Sequence, residues 1–215
     1  MVDRCARRGG GGELGDNDVP GSAEHEWLYL KAGSCPTPKG QVRLQLVDLL
    51  ESRIRDGFAY APNTKTPYEK VLRNYLDRVG KIDSSFRSRY IGRAEDLIEN
   101  IEEKFTRAPL KLHLFKEDFR WGGDDPRFVG KCSHQTVMRV HVQAEAGSVD
   151  MGLFSNLDPM SKAALVLHVL ILSDMRAREH QAPFDEWRTR RIIGVVFAKE
   201  LTPELYDQRV RGYLD

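Results

Sequence analysis

The chain has 215 residues, of which 40% are hydrophobic and 30% charged. Its 33 basic and 32 acidic residues leave a formal net charge of +1, which excludes the strong positive field that draws proteins to nucleic acid or to anionic membranes. The longest apolar run, 163–172, is interrupted by His168. It falls short of the roughly 20 apolar residues that a transmembrane helix needs, so no transmembrane segment is expected.

The first half of the chain predicts one strand and three helices. His25–Lys31 has the aromatic and aliphatic content of a short strand. Apolar residues recur at three- and four-residue spacing over 41–57, which predicts a helix. Pro67 suits the first position of a second helix, and Ser84 or Ser85 can cap a third.

The second half predicts a small sheet followed by helices. Alternating apolar residues indicate strands over 110–115, 136–143 and 149–154, the last two joined as an antiparallel hairpin. A helix begins after Asp158 and is apolar on all sides, so it should be buried. An amphipathic helix from Trp187 to Phe197 and a short helix from Thr202 to Tyr213 complete the chain.

These elements predict an α+β fold. We expect N-terminal helices, an antiparallel sheet of about three strands and a C-terminal helical pair with a buried central helix. We expect the residues over 25–215 to form a single domain at this chain length, behind a flexible glycine-rich lead over 1–24.

His168 is the first residue that can carry chemistry, because a lone imidazole in an apolar helix must find partners for its ring nitrogens. A zinc protease helix would need a Glu beside this His and a second His four residues on, but those positions hold Val169 and Leu172. The sequence therefore favours a hydrogen-bonded core histidine over a metal ligand, and it predicts no metal and no cofactor.

Cys132 with His134 or His141 is a second candidate for catalysis, since a nucleophilic cysteine needs an imidazole within hydrogen-bond reach. A disulfide is the competing interpretation. Cys35 and Cys132 are both flanked by small or polar residues, so they can pair in an oxidising compartment and leave Cys5 free. Reduced thiols remain an equal alternative.

Two further segments are candidates for ligand binding. The loop FRWGGDDPRF places Trp121, Asp124 and Asp125 where they can contact a cation, a sugar or a peptide, although the sequence favours a solvated turn. Arg190 and Arg191 belong to a basic cluster at a helix start, which can bind phosphate or remain a solvated face.

Three groups of residues over 131–201 follow one another in a distinctive order: Cys132 and Gln135, then Ala163, Ala164, Leu165, Leu167 and His168, then Arg190, Arg191 and Gly194. This order resembles an uncharacterised family of secreted or periplasmic bacterial proteins. The chain departs from the family pattern at Val169, where the family has a Glu after the histidine, which removes support for a His-Glu catalytic or metal pair. The resemblance implies export, and export favours the Cys35–Cys132 bridge.

The leading functional hypothesis is an exported, non-enzymatic protein that binds an envelope protein or a cell-wall component in the periplasm or outside the cell. One alternative is a hydrolase that uses Cys132 with His134 or His141, or a degenerate metal site at His168. Another is a cytoplasmic regulatory module.

Overall fold

The computed structural model describes residues 27–36, 42–61, 65–101, 105–107, 133–141, 146–178 and 185–214. These residues form an α+β fold, as the sequence predicts. The strands are β1 (Trp27–Pro36), β2 (Val42–Leu46), β3 (Phe105–Arg107), β4 (Ser133–His141) and β5 (Ala146–Val149). The helices are α1 (Val47–Arg55), α2 (Tyr68–Gly80), α3 (Ser84–Glu99), α4 (Met151–Asn156), α5 (Pro159–Arg178), α6 (Asp185–Phe197), α7 (Pro203–Tyr206) and α8 (Gly212–Leu214), with a π-helical turn over Asp207–Arg211 between the last two.

The sheet has five described strands, in the order β2-β1-β4-β5-β3, where about three were predicted. All neighbours are antiparallel except β3 and β5, which run parallel. The predicted strand over 110–115 lies outside the described residues.

The predicted strand over 149–154 is wrong, because only its first residue belongs to β5 and the rest opens into α4. The Asp150 carboxylate accepts the Leu153 N–H at 2.9 Å and so caps α4. The predicted turn over 146–148 is instead part of β5. Gly147 is required there, since a Cβ atom at this position would lie 1.9 Å from the Arg139 carbonyl oxygen.

A bulge interrupts β4 and changes its alternation. Leu30 pairs with Met138 but Lys31 pairs with Thr136, so Val137 is the extra residue on β4. Val137 and its neighbour Met138 are both buried, whereas strict alternation would place them on opposite faces. The Val137 carbonyl accepts the Asp150 N–H at 2.9 Å, which joins the bulge to the start of α4.

The helix predicted over 41–57 is shorter than expected, because Val42–Leu46 form β2 and pair with β1. The Leu46 N–H donates to the Ser161 hydroxyl at 3.1 Å, which ties the end of β2 to the start of α5. The predicted helix end is correct. Gly57 has a φ of 74°, a left-handed conformation that glycine adopts readily just after a helix.

The caps of the next two helices are displaced by one residue from the prediction. Pro67 precedes α2 as its N-cap rather than occupying its first turn. Asp83, and neither Ser84 nor Ser85, caps α3, since its carboxylate accepts the N–H groups of Ser85 and Phe86 at 2.9 and 3.1 Å.

Helix α5 is the central element of the core, as predicted. Asp158 opens it by accepting the Ser161 N–H at 2.8 Å. The helix packs against α2, α3 and α6, while α1 packs against α6. The buried apolar side chains of these helices and of β4 form one cluster. None of the described helices has the length and apolar composition required to cross a membrane.

The predicted lead over 1–24 lies outside the described residues. The assignment of one domain to 25–215 stays a prediction.

Candidate functional site

Polar side chains are buried where α1 meets α5 and α6. Asp48 and Glu51 on α1 are only 3% and 6% exposed, and His168 on α5 is 1% exposed. Ser52 on α1 and Thr189 on α6 are also buried. Burying ionisable groups costs free energy unless they are paired and hydrogen-bonded, so each of these groups needs a partner or another reason to be there.

His168 and Asp48 form a buried pair. The His168 Nδ1 atom hydrogen-bonds to the Asp48 Oδ2 atom. In the neutral ring, Nδ1 carries the proton and donates it to the carboxylate, which leaves Nε2 as the basic nitrogen. Among the described residues, Nε2 has no hydrogen-bond partner although it is fully buried. The pair therefore holds an oriented, basic nitrogen in a dry environment.

Glu51 lies one helical turn from Asp48 and pairs with two arginines. Its Oε1 atom contacts Arg55 Nη1, and its Oε2 atom lies 3.7 Å from Arg190 Nη1 with no hydrogen bond among the described residues. Burial raises the pKa of Glu51, and it outweighs the opposing effect of Arg190 and Arg55. Glu51 therefore holds a proton more readily than an exposed glutamate does.

A close contact between α1 and α6 fixes the geometry of this region. A Cβ atom at Gly194 would lie 2.5 Å from Ser52 Cβ, so the absence of a side chain lets the helices approach here. The Ser52 hydroxyl donates to the Asp48 carbonyl at 2.7 Å and also hydrogen-bonds to the Tyr60 hydroxyl. The Tyr60 hydroxyl lies 3.3 Å from the Gly194 carbonyl oxygen. Gly194 thus brings Arg190, one turn earlier on α6, beside Glu51.

The N-terminal part of α6 extends from this polar cluster to the surface. Trp187 is 40% exposed, and the Arg191 guanidinium lies over its ring at 4.0 Å from the centroid. Tyr213 meets the same ring edge-on, with 6.0 Å between centroids. The Arg191 Nε atom is buried and has no hydrogen-bond partner in the described part of the chain. Arg191 also interacts electrostatically with Glu51, which links the surface tryptophan to the buried carboxylate.

Three of the sequence candidates lie together in this region: His168 is in the cluster, and Arg190 and Arg191 flank it. Four others, namely Trp121, Asp124, Asp125 and Cys132, lie outside the described residues.

The proposed partners of Cys132 lie far apart on β4. His134 is opposite Gly33 near the beginning of the strand, and His141 is opposite Trp27 at its end. The two histidines are seven positions apart along the strand, or about 23 Å, so one cysteine thiolate cannot contact both. On β1, Cys35 is the residue after Ser34, which pairs with Ser133. The Cys35–Cys132 disulfide stays a prediction.

Sequence reasoning missed Asp48, Glu51 and Ser52. The helix predicted over 41–57 assigned them no role, but residues 47–52 of α1 are all buried, because α1 packs against α6, β1 and β2. The only available signal was His168, whose burial requires a polar partner without identifying it.

In the described ranges, no group of three or more His, Cys, Asp or Glu side chains is arranged to hold a metal ion.

Comparisons of the chain with protein-family models, with curated proteins and with solved structures found no match. Membership of a secreted or periplasmic family stays a prediction.

Proposed function

We propose that this protein is a hydrolase in which His168, oriented by Asp48, acts as the general base. The single observation that carries this proposal is the buried Nε2 atom, which has no partner among the described residues while Nδ1 is bonded to a carboxylate. A structural histidine in a core usually satisfies both ring nitrogens, and leaving one unpaired costs about 1–3 kcal/mol. A general base needs its Nε2 atom unpaired, because this nitrogen must accept a proton from water.

The pair suits proton transfer for two reasons. The Asp48 carboxylate fixes the tautomer, so Nε2 presents its lone pair, and its negative charge stabilises the imidazolium that forms when Nε2 takes a proton. Burial of the pair strengthens this electrostatic effect, because charges interact more strongly in the protein interior than in bulk water. In hydrolysis, water would give its proton to Nε2 while its oxygen attacks the substrate.

Glu51 fits the role of the acid in the same reaction. Its raised pKa lets the carboxyl group keep a proton that it can give to the leaving group. The Arg55 contact to its other oxygen orients the group.

Hydrolysis of a panel of nitrophenyl esters and phosphates by the full chain tests this proposal. We expect His168→Gln and Asp48→Asn to lower turnover by roughly 10²- to 10⁴-fold, because each removes the oriented base. Tyr90→Phe is the matched control, since it removes a hydroxyl that bonds to Asp174 elsewhere on α5.

A readout independent of turnover is the ring ¹⁵N spectrum of histidine-labelled protein. The His168 signals, assigned by their loss in His168→Gln, should show the ring proton of the neutral tautomer on Nδ1, the nitrogen that faces the Asp48 carboxylate. Equal activity of His168→Gln and wild type toward every hydrolysed ester, or a His168 ring protonated at Nε2 alone, would contradict the proposal.

Non-enzymatic binding of an envelope component by an exported protein is a second candidate function. The exposed Trp187 with Arg191 over its ring favours it, because exposed aromatic residues beside arginine are frequent in binding surfaces. The two candidates differ in the expected role of His168. A binding protein would keep its activity in His168→Gln and lose it in Trp187→Ala.

A further inference from the structure

We propose that Asp56 is a positioning residue for Glu51. It binds one edge of the Arg55 guanidinium, so that Arg55 gives Glu51 a single hydrogen bond and the second Glu51 oxygen can carry a proton. The inference rests on the proposed function, because it names the residue that helps the acid of that reaction to stay protonated. The protonation of Glu51 can nevertheless be measured without turnover.

The Arg55 guanidinium divides its nitrogens between two carboxyl groups. Its Nε atom lies 3.1 and 3.2 Å from the two Asp56 carboxylate oxygens, and its Nη2 atom donates to Asp56 Oδ2 at 2.6 Å. A contact of two nitrogens with one carboxylate is stronger and more directional than a single hydrogen bond. The remaining nitrogen, Nη1, donates to Glu51 Oε1. Asp56 therefore holds the paired edge of the guanidinium and leaves one nitrogen for Glu51.

The two oxygens of Glu51 differ as a result. Oε1 accepts from Arg55, whereas Oε2 is buried, lies 3.7 Å from Arg190 Nη1 and has no hydrogen-bond partner among the described residues. A protonated carboxyl group has one hydroxyl oxygen and one accepting oxygen, which fits a proton on Oε2. A guanidinium that bound both oxygens would favour the ionised carboxylate instead.

Charge acts in the same direction as this geometry. Burial raises the pKa of Glu51, and the arginines beside it oppose that effect. Because the Asp56 carboxylate compensates the Arg55 charge, it weakens one of the opposing effects. His168 on α5 faces this part of α1 through its bond to Asp48. The charged side chains of α1 and α6 that act on Glu51 are Arg55, Asp48, Arg190 and Arg191.

Stabilisation of the helix end does not account for an acid at position 56. Asp56 is the C-cap of α1, where the helix dipole disfavours a negative charge. Its backbone N–H donates to the Ser52 carbonyl at 3.0 Å, a bond that any side chain but proline permits. Asp56→Asn keeps the size of the side chain and this backbone bond, so the variant should fold and should change the charge alone.

The side-chain carboxyl ¹³C signals of glutamate-labelled protein provide the measurement, with the Glu51 signal assigned by its loss in Glu51→Gln. We expect Asp56→Asn to move the Glu51 titration to lower pH by about one pH unit, because Arg55 can then pair with Glu51 through two nitrogens. Asp56→Glu keeps the charge and should titrate close to wild type. Asp77→Asn is the matched control, since it removes a carboxylate from the Nε atom of Arg87 and should leave the Glu51 titration unchanged.

Two further readouts follow the same proton. Turnover by Asp56→Asn should fall up to about tenfold near neutral pH, and the loss should shrink as the pH is lowered and Glu51 regains its proton. A purely structural defect would lower turnover by the same factor at every pH. The unfolding free energy should fall less in Asp56→Asn than in wild type between about pH 5 and about pH 8, because Glu51 then ionises more easily in the folded protein.

A Glu51 titration in Asp56→Asn that superimposes on the wild-type titration would overturn the inference. An equal shift in Asp77→Asn would also overturn it, because the effect would then not depend on the Arg55 contact. Failure of the proposed function has a different result. If Asp56→Asn shifts the Glu51 titration but the wild-type chain hydrolyses no ester or phosphate, the hydrolase is rejected and the effect of Asp56 on the Glu51 proton stands.

Discussion

Two ionisable side chains of helix α5, His168 and Asp174, lie in contrasting surroundings. The Asp174 side chain is 19% exposed, accepts the Tyr90 hydroxyl at 3.1 Å and pairs with Arg93. Arg89 lies 3.7 Å from the same carboxylate. His168 lies in the dry core with one carboxylate as its partner and one ring nitrogen unpaired among the described residues.

The contrast separates a structural ion cluster from a candidate site. At Asp174 both carboxylate oxygens have partners and water is close, so the cluster needs no further explanation than joining α3 to α5. At His168 the fold accepts a buried histidine–aspartate hydrogen bond and a ring nitrogen with no partner among the described residues, which an apolar pair of the same size would avoid. Retaining a costly arrangement in the core is typical of a functional site.

Removal of the Asp48 carboxylate should cause the largest loss in the free energy of unfolding. We expect Asp48→Ala to lower the free energy of unfolding by about 3–5 kcal/mol, because it leaves His168 buried without its carboxylate. Asp174→Ala should cost only about 1 kcal/mol, since its partners can turn to water. Urea unfolding followed by circular dichroism measures both changes.

A double variant sharpens the same comparison. Asp48→Leu with His168→Leu should recover most of the stability lost in Asp48→Ala, because apolar replacement of a whole buried pair is often neutral or stabilising. If Asp174→Ala costs as much as Asp48→Ala, the two clusters are equivalent and the distinction fails.

Gly194 should be the next most sensitive position, because it sets how closely α6 approaches α1 at the polar cluster. Gly194→Ala places a methyl group 2.5 Å from Ser52 Cβ, and the two helices must separate. We expect a loss of about 1–3 kcal/mol in the free energy of unfolding. Gly92→Ala in α3, where an added Cβ has no neighbour within 4 Å, is the control and should gain about 0.5–1 kcal/mol. Equal effects of the two changes would show that the close approach is not required.

The sequence predicted the helical half of the fold better than the sheet. Helices α2 and α3 show the periodicity of a helix with one buried side, and α5 is apolar on all sides. These patterns predict all three helices to within a few residues of their observed bounds. The strand over 42–46 was assigned to a helix because its spacing also fits a helical stripe, and only pairing with β1 decides between the two. The bulge at Val137 depends on the same long-range pairing.

The candidate site was predicted only at its histidine and at Arg190 and Arg191. A buried imidazole requires a partner, but the sequence of α5 contains no information about which carboxylate will face it. Asp48 is 120 residues away, and it is buried where α1 packs against α6 and meets His168 of α5. Such a residue is found only when the packing is known.

Glu51 and Asp83 are two carboxylates whose pKa values shift in opposite directions. Their contribution to the pH dependence of the unfolding free energy should be the smallest of the expected effects. Burial raises the pKa of Glu51 above 4.5. Burial opposes the shift at Asp83, but hydrogen bonds from Ser85, Phe86 and Tyr206 lower the pKa of that group below 3.8.

The two shifts act in different pH ranges. Above pH 4.5 the unfolded chain releases the Glu51 proton before the folded protein does, so the stability from this group falls as pH rises through its folded pKa. Asp83 contributes stability above pH 3.8, which is lost as pH falls through its lower folded pKa.

Unfolding free energies of Glu51→Gln and wild type between about pH 4 and about pH 8 test the sign. The difference should move in favour of Glu51→Gln as pH rises, because the variant cannot ionise in the core. Glu95→Gln, from the exposed pair with Arg73, should show no comparable trend. A difference that moves in favour of wild type would mean that Arg55 and Arg190 outweigh burial at Glu51, and Glu51 would then be an ionised partner of the arginines rather than the acid of the site.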